Sequence, residues 1–256
     1  MKPVISSEFF AAPIAHRALH DKTDGRTENS TSAILAGVKA GFAIEIDIQC
    51  TRDGQAVVFH DYVLDRMTSE TGLLKDRNLK DLCKIERAGG GGAIASLRSV
   101  LDLVAGQVPV LVEIKDQSGG MNEDIGLLEQ AVAKDLHGYR GPVAVMSFNP
   151  YSVAEFAKLA PQVARGLTTR TWAPPAKYGL PEEHCQRLTE MPDLERIGAS
   201  FISHDVNDLE NPRVAEAKQR GLAIFCWTVK SPQQEEFARA IADNVTFEGY
   251  LPPATK

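Results

Sequence analysis

Two carboxylates are separated by a single residue in the apolar run AIEIDIQC, where an ordinary buried strand would carry none. If this run is a strand, its side chains alternate between two faces. Glu45 and Asp47 then share one face, and the other face is apolar, with Ile44, Ile46 and Ile48. The isoleucine face suits packing against helices. We therefore expect the acidic face to point into the protein, where neighbouring carboxylates repel one another unless a cation joins them.

A third carboxylate lies in a second run of the same kind, VPVLVEIKD. Alternation places Glu113 and Lys115 on the face opposite its valines and isoleucine. Three inward carboxylates predict a bound divalent cation, because buried charge is costly unless it is paired or coordinates an ion. Oxygen ligands, without a cysteine pair or a helical His-x-x-x-His, indicate Mg²⁺ or Ca²⁺ rather than zinc. The alternative is an interior salt bridge between Glu113 and Lys115.

Two histidines end segments of similar character. His16 closes the run AAPIAH and is followed by Arg17, and His60 closes the run QAVVFH. A single histidine at a strand end is more often a hydrogen-bonded structural group. A pair beside a metal site is what acid–base catalysis near neutral pH requires. Arg17 and Lys115 would complete a clamp for an oxyanion.

Short β-rich runs alternate with helical patterns along the whole chain, which indicates a parallel sheet with helical crossovers. Eight strands over this length favour an α/β fold of the (β/α)8 TIM-barrel type, and no GxGxxG follows the first strand. The predicted strands cover residues 12–16, 42–49, 108–115, 142–148, 163–168, 200–204, 222–229 and 244–247. The predicted helices cover residues 31–40, 123–137, 151–159, 212–220 and 232–242. Barrel active sites lie at the carboxyl ends of the strands, where the candidate residues stand.

The segment between the second and third of these strands, about residues 51–107, is too long for one crossover helix. We interpret it as an insertion on the catalytic face of a single domain that spans residues 1–256. It contains a predicted strand at residues 55–60 and a run of four glycines at residues 89–92. No GK[ST] follows those glycines, so a flexible connector is favoured over a phosphate-binding loop.

Several motifs occur in order along the chain: AHR, ENSTSAI, GFAIEIDIQCTRDGQAVVFHD, LDRMTSETG, LVEIK and CWTV. The chain thereby resembles the glycerophosphodiester phosphodiesterase family, whose pattern reads approximately HRG, PENT, ExD, T-DG, VV-HD, ExK and WTV. The resemblance implies a metal-dependent (β/α)8 barrel that splits glycerophosphodiesters into an alcohol and glycerol 3-phosphate. The run ExDxxxTxDGxxVxxHD is the most specific part of the match.

Carried over position by position, the resemblance implies the same roles as the residues themselves suggest. They are an acid–base pair, His16 and His60; a phosphate clamp, Arg17 and Lys115; and metal ligands, Glu45, Asp47 and Glu113. Glu28 and Asn29 match the family's Glu-Asn, for which we expect a positional role. Trp227 matches the WTV tryptophan and would line the substrate pocket, with a core aromatic as an equal alternative.

The chain departs from the family pattern around the substrate rim. Ala18 replaces the glycine after His-Arg, and the loop 19–27 is lengthened. Lys230 stands where asparagine is usual, and Glu248 lies in TFEGYLP, where the family has TD-P. Glu248 would favour a cationic alcohol and Lys230 an anionic one, so the alcohol stays open. Two further aromatic residues, Trp172 and Tyr178, either cap a headgroup or anchor their loop, and His204 is an additional candidate for substrate contact.

The composition indicates which partners and which cellular location to expect. A formal charge of -6 argues against a nucleic-acid partner. No apolar run reaches the length of a membrane span, the amino-terminal segment fits a signal peptide poorly, and no stable membrane association is expected. Four scattered cysteines predict reduced, buried thiols in a cytoplasmic protein. The expected partner is a small-molecule glycerophosphodiester, and homo-oligomerisation stays open.

Two other functions compete with this hypothesis. One is a phospholipase-type barrel acting on a lysophospholipid or a phosphoinositol, for which an exposed apolar loop would be needed. The other is a non-catalytic barrel that binds a phosphate ester. Such a relative would usually have lost a histidine or a metal carboxylate, and here every one is present.

Overall fold

The computed structural model describes residues 3–252, so residues 1–2 and 253–256 of the predicted single domain lie outside the described part. Eight parallel strands form a closed barrel, because the first strand pairs with both the second and the last. This confirms the predicted TIM barrel. In chain order the strands are β1 (Ile14–Ala15), β2 (Ala43–Cys50), β3 (Ala56–Val58), β4 (Val110–Ile114), β5 (Val143–Ser147), β6 (Ala164–Thr169), β7 (Phe201–Asp205), β8 (Ala223–Val229) and β9 (Asn244–Phe247). Of these, β3 lies outside the barrel and pairs antiparallel with the end of β2.

Helices cover the outside of the barrel, and they are α1 (Thr31–Ala40), α2 (Leu79–Leu82), α3 (Leu97–Val104), α4 (Leu127–Leu136), α5 (Pro150–Leu159), α6 (Glu182–Glu190), α7 (Pro212–Gln219) and α8 (Pro232–Arg239). The prediction for α1 is confirmed at both ends, since Ser30 caps its first turn and Gly41 ends it with a positive φ. The predicted helix 123–137 begins later, at Leu127, because the Glu129 carboxylate accepts a hydrogen bond from the Gly126 amide and fixes the first turn there.

The register of β2 against β4 brings the predicted acidic faces together. Asp47 lies directly opposite Glu113 in this pairing. The alternate residues of both strands pack outward against helices, in one cluster that contains Ile44, Ile46, Ile48, Val110, Val112 and Ile114 together with residues of α1, α3 and α4. Burial of these β-branched side chains favours the orientation that leaves the carboxylates inside.

The amino-terminal end of the barrel is filled by aromatic side chains. Phe9, which precedes β1, is fully buried and stacks on Phe225 with ring centroids 6.2 Å apart. Phe201 packs against Phe225 at 5.1 Å, and the Asn244 amide donates to the carbonyl of Phe9. This packing closes the amino-terminal end and leaves the carboxyl end as the open mouth.

The segment between β2 and β4 is more structured than the sequence indicated. The predicted strand 55–60 appears as the shorter β3, and a small apolar core forms beneath it, including Phe59 and Leu64. No helix was predicted in this segment, yet α3 is the crossover helix to β4. Its buried residues, Leu97, Val100, Leu101 and Val104, follow helical spacing that could have revealed it.

The four glycines at residues 89–92 form a packed turn. All four have φ between +88° and +96°, and their loop lies against the loop before α1. The hydroxyl of Thr27 donates to the carbonyl of Gly90, and a Cβ on Gly91 would lie 2.6 Å from Ser30. The glycines are needed for backbone conformation and close approach, so interpreting them as a flexible connector was wrong.

The cysteines are all free, but Cys83 is exposed, whereas the other three are buried as predicted. Among residues 3–252, no helix has the length and apolar character needed to cross a membrane.

Candidate active site

A cavity of about 590 Å³ opens at the carboxyl ends of the barrel strands. Seven of the eight predicted site residues line it: His16, Arg17, Glu45, His60, Glu113, Lys115 and Trp227. The eighth, Asp47, lies behind the cavity wall with 1% of its surface exposed. The residues come from strand ends and from the loops that follow them, so the barrel brings together positions far apart in the chain.

The three carboxylates form one buried cluster. Glu45, Asp47 and Glu113 each offer an oxygen atom, and these atoms lie within 4.8 Å of one another. Burial, together with the charges of Asp47 and Glu113, raises the pKa of Glu45 well above its usual range. Glu45 Oε1 is buried and has no hydrogen-bond partner, while Oε2 accepts from the Arg17 amide at 2.7 Å. A free buried carboxylate oxygen beside two others fits a divalent cation.

The Lys115 ammonium group lies against this cluster, with Nζ 2.6 Å from Asp47 Oδ1 and in contact with Glu113. Burial opposes ionisation of Asp47, but the Lys115 charge, reinforced by Arg17 and the nearby histidines, outweighs it, and together they hold the pKa of Asp47 well below its usual range. The salt bridge considered as an alternative to a metal therefore exists. Arg17 Nε also lies 3.6 Å from Asp47 Oδ2, but Arg17 is shared with Glu28, and two positive charges do not balance three carboxylates, so the cluster still favours a further cation.

Each catalytic candidate histidine is oriented by a carboxylate. His16 Nδ1 lies 2.6 Å from Glu248 Oε2, and His60 Nδ1 lies 2.6 Å from Asp61 Oδ1. Both contacts use Nδ1, which leaves the Nε2 atoms for the cavity. Burial lowers the pKa of His60, the Lys115 charge lowers it further, and Asp61 offsets this only in part. The neutral form of His60, which accepts a proton, is thereby favoured near neutral pH.

A chain of ion pairs joins the His60 side of the cavity to Arg17. The Arg66 guanidinium donates to Asp61 at 2.6 Å and to Glu28 at 2.6 and 2.9 Å, and Arg17 Nη1 donates to the same Glu28 at 2.8 Å. Burial disfavours the Glu28 carboxylate, but hydrogen bonds from Arg66 and the Arg17 charge lower its pKa to about 2. The expected positional role of Glu28 agrees with these contacts.

Asn29 supports the carboxylate cluster directly. Its side-chain amide donates to Asp47 Oδ2 at 2.7 Å, and its oxygen accepts from the Asp47 backbone amide at 3.1 Å. Asn29 is fully buried and has φ +58°, a conformation that asparagine tolerates better than most residues. The Glu-Asn pair thus fixes two neighbouring parts of the site.

The family model described as the glycerophosphoryl diester phosphodiesterase family matches residues 16–246. The chain belongs to this family. A glycerophosphodiester phosphodiesterase of Caldanaerobacter subterraneus subsp. tengcongensis is 29% identical over 248 residues, which are 91% of each chain. The Bacillus subtilis protein YhdW is 28% identical over 227 residues, 85% of this chain and 86% of the relative.

Solved structures show the same fold at lower sequence identity. A phosphodiesterase of Oleispira antarctica, in complex with sn-glycerol-3-phosphate as product, superposes with a TM-score of 0.73 at 21% identity and covers 92% of both chains. A glycerophosphodiester phosphodiesterase of Thermotoga maritima has a TM-score of 0.70 at 20% identity, and the match covers 92% of this chain and 94% of that one.

In this family member, Trp227 lines the cavity and donates from Nε1 to the carbonyl of Ser203 at 3.0 Å. Phe148 contacts both Trp227 and Trp172 edge to face, at 5.4 and 5.7 Å. Trp172 is 7% exposed, packs on Tyr178 at 4.8 Å and does not line the cavity. Trp172 and Tyr178 therefore anchor their loop, which is the interpretation that the sequence allowed beside headgroup binding.

His204 does not reach the substrate cavity. It is 1% exposed, and both ring nitrogens are occupied, Nδ1 by the Thr169 hydroxyl at 2.8 Å and Nε2 by Asp208 at 3.0 Å. This candidate was wrong, because the β7 strand turns the ring towards the neighbouring β6.

Three further residues contact the site in ways that the sequence did not reveal. Arg66 lies inside the quoted motif LDRMTSETG, but the motif does not show which carboxylates it joins. Glu248 was expected near the pocket, yet its contact with His16 depends on the pairing of β1 with β9. Arg170, which follows β6 and lines the cavity, had no signal beyond its place at a strand end.

Proposed function

We propose that this chain hydrolyses glycerophosphodiesters to an alcohol and glycerol 3-phosphate, as one barrel domain acting in the cytoplasm. The observation that carries the proposal is the arrangement of one cavity. Two histidines, each held at Nδ1 by a carboxylate, stand around a buried carboxylate cluster and two basic residues. Membership of the family and the product bound to the Oleispira relative support it.

Glu45, Asp47 and Glu113 would hold one Mg²⁺ or Ca²⁺ ion, for which their oxygen donors are suited. The chemistry supplied by such an ion is neutralisation of charge on the phosphoryl oxygens. Arg17 would bind the phosphate through its planar guanidinium, and Lys115 would contribute a point charge.

The proton transfers fall to the two histidines. Burial favours neutral His60, so this residue would take the proton from the attacking hydroxyl, either of water or of the 2-position of glycerol. In the second case the alcohol leaves first, and a water molecule would then open the resulting cyclic phosphate to give glycerol 3-phosphate. His16, protonated at the start of the step in which the alcohol leaves, would donate a proton from Nε2 to the leaving oxygen and become neutral, and the Glu248 carboxylate at Nδ1 would orient the ring and stabilise its charge before the transfer.

The decisive experiment measures glycerol 3-phosphate release from choline, ethanolamine, glycerol and inositol diesters, with and without chelator and with added Mg²⁺ or Ca²⁺. Release that depends on a divalent cation supports the proposal. Hydrolysis of a lysophospholipid with no release from any of these diesters would favour the phospholipase-type alternative. Binding of the diesters without turnover would favour the non-catalytic barrel.

A further inference from the structure

The rim of the cavity carries basic side chains that the phosphoryl chemistry does not use. Lys22 in the loop after β1, Arg170 after β6 and Lys230 after β8 all line the cavity. Of the two arms of a glycerophosphodiester, the glycerol arm is uncharged. The charge of the rim can therefore discriminate between substrates only through the alcohol arm.

The acidic residue of the rim, Glu248, is already engaged. Its Oε2 lies 2.6 Å from His16 Nδ1, its Oε1 lies 2.8 Å from Lys230 Nζ, and His20 Nε2 stands 3.6 Å away. The hydrogen bond with His16 and the nearby His20 ring lower the pKa of Glu248 well below its usual range. A cationic headgroup would have to displace Lys230 or disturb His16, so Glu248 is not a free counter-ion for one.

Arg170 lines the cavity, and Asp205 lies at only one end of its guanidinium group. Its Nη2 lies 3.1 Å from Asp205, its guanidinium carbon lies 5.3 Å from the Tyr178 ring and 5.6 Å from the Trp227 ring, and its Nε is buried without a hydrogen-bond partner. Asp205 does not line the cavity. The two rings and Asp205 hold the guanidinium plane in place, which suits it to bind a carboxylate or a phosphate.

Lys22 adds to this positive charge. Among residues 3–252, no carboxylate lies within salt-bridge distance of Lys22, whereas Lys230 is paired with Glu248. The rim thus keeps an excess of positive charge after its ion pairs are counted. Lys22 belongs to the lengthened loop 19–27, so this charge comes from a part of the chain that departs from the family pattern.

We propose that the cavity selects diesters whose alcohol carries an anionic group, a carboxylate or a phosphate, and that Arg170 is the specificity-determining residue, assisted by Lys22. This inference rests on the proposed function. It differs from a preference for choline or ethanolamine, which the sequence left open beside an anionic alcohol.

The test compares diesters of glycerol 3-phosphate whose alcohols share a two-carbon unit. The alcohols are ethanolamine, ethylene glycol, glycolate and ethylene glycol monophosphate, so that this unit ends in an ammonium, a neutral hydroxyl, a carboxylate or a phosphate. For the wild-type protein we expect kcat/KM for the better anionic diester to exceed that for the ammonium diester by about tenfold at low salt. High salt should reduce this preference because the rim is partly exposed. The larger of the two anionic values identifies the preferred group.

For each variant, kcat/KM is measured for two diesters with the same protein sample and expressed as a ratio. A smaller amount of folded protein lowers both values equally and does not change the ratio. Arg170→Gln should lower the ratio of anionic to neutral diester about tenfold, and Lys22→Gln should lower it less, because Lys22 is more exposed. The matched control is Lys39→Gln, an exposed lysine at the end of α1, which should leave the ratio and the activity unchanged.

Turnover of the neutral diester reports the proposed function independently of charge. If the neutral diester is hydrolysed but the wild-type protein prefers the ammonium diester or shows no preference, the inference is wrong and the proposed function stands. Unchanged ratios in both Arg170→Gln and Lys22→Gln would also overturn the inference. Absence of turnover with all four diesters would remove the proposed function and this inference together.

Discussion

The two halves of the cavity hold a histidine in the same way but build the support from different parts of the chain. His16 follows β1, and its partner Glu248 follows β9, so this half belongs to the barrel wall. His60 lies in the segment between β2 and β4, and its partner Asp61 is the next residue. The orientation of His16 depends on the pairing of β1 with β9, which closes the barrel, and the orientation of His60 depends on a contact with the next residue.

The difference lies in how each half is fixed to the rest of the site. On the His16 side, the backbone amide of His16 donates to the carbonyl of Phe247, so closure of the barrel sets the distance. On the His60 side, Arg66 must reach back to Glu28, and Glu28 to Arg17. The barrel positions one histidine, whereas a network of charged side chains positions the other. Substitutions in one half of the cavity should therefore affect activity independently of substitutions in the other half. Substitutions in the carboxylate cluster are the exception, because both halves depend on it.

The largest effect is expected at that cluster. Glu45→Gln removes one of the three proposed metal ligands, on which both halves depend, and should lower turnover on the order of 10³-fold. Metal-dependent release of glycerol 3-phosphate measures this, and circular dichroism checks that the variant keeps its fold. Chelation of the wild-type protein should have a comparable effect. Full activity of Glu45→Gln, or activity that EDTA leaves unchanged, would contradict the proposed metal site.

The second prediction separates the duties of the histidines. His16→Ala and His60→Ala should each lower kcat by about 10²–10⁴-fold with a natural diester. With a nitrophenyl diester, whose leaving group needs little protonation, His16→Ala should recover much of its activity and His60→Ala should not. If both variants respond alike, the assignment of His60 as base and His16 as acid is wrong.

The sequence predicted which side chains point into the barrel, because strand alternation is a local pattern. Period-2 alternation placed Glu45, Asp47, Glu113 and Lys115 on interior faces, and the barrel register then determined their meeting. The histidine positions followed from strand ends. The sequence placed Glu248 near the pocket but could not reveal its contact with His16, because the two residues are 232 positions apart and meet only through closure of the barrel.

The fold was predicted where helices and strands are punctuated, as at Ser30 and Gly41 around α1. It was incomplete in the segment 51–107, where α3 was missed although its apolar spacing is helical. The glycine run was misinterpreted because composition alone indicates flexibility. Its conformation depends on a tertiary contact with the loop before α1, which no local pattern contains.

The third prediction tests whether the halves are independent. Glu248→Gln and Asp61→Asn should each lower kcat about tenfold to a hundredfold, because each leaves its histidine without a charged partner. Arg66→Gln should share its effect with Asp61→Asn, so the double variant is no worse than the stronger single one. Arg66→Gln and Glu248→Gln should instead add in free energy. Additivity in both pairs, measured as kcat in two double-mutant cycles, would contradict the proposed network.

The smallest effect concerns stability, and it isolates the network on the His60 side. The pKa of Glu28 is lowered from 4.5 to about 2, so its ionisation stabilises the folded protein above pH 4.5 and this contribution is lost as the pH falls towards 2. Glu28→Gln should therefore lower the free energy of unfolding by about 2 kcal/mol at neutral pH, and the difference should shrink as the solution is acidified. Urea unfolding measured across this pH range checks the prediction.

The control is Glu236→Gln, an exposed position on α8, which should change the free energy of unfolding far less at every pH. A difference between the wild-type protein and Glu28→Gln that is constant with pH would show that Glu28 acts through packing and not through its charge.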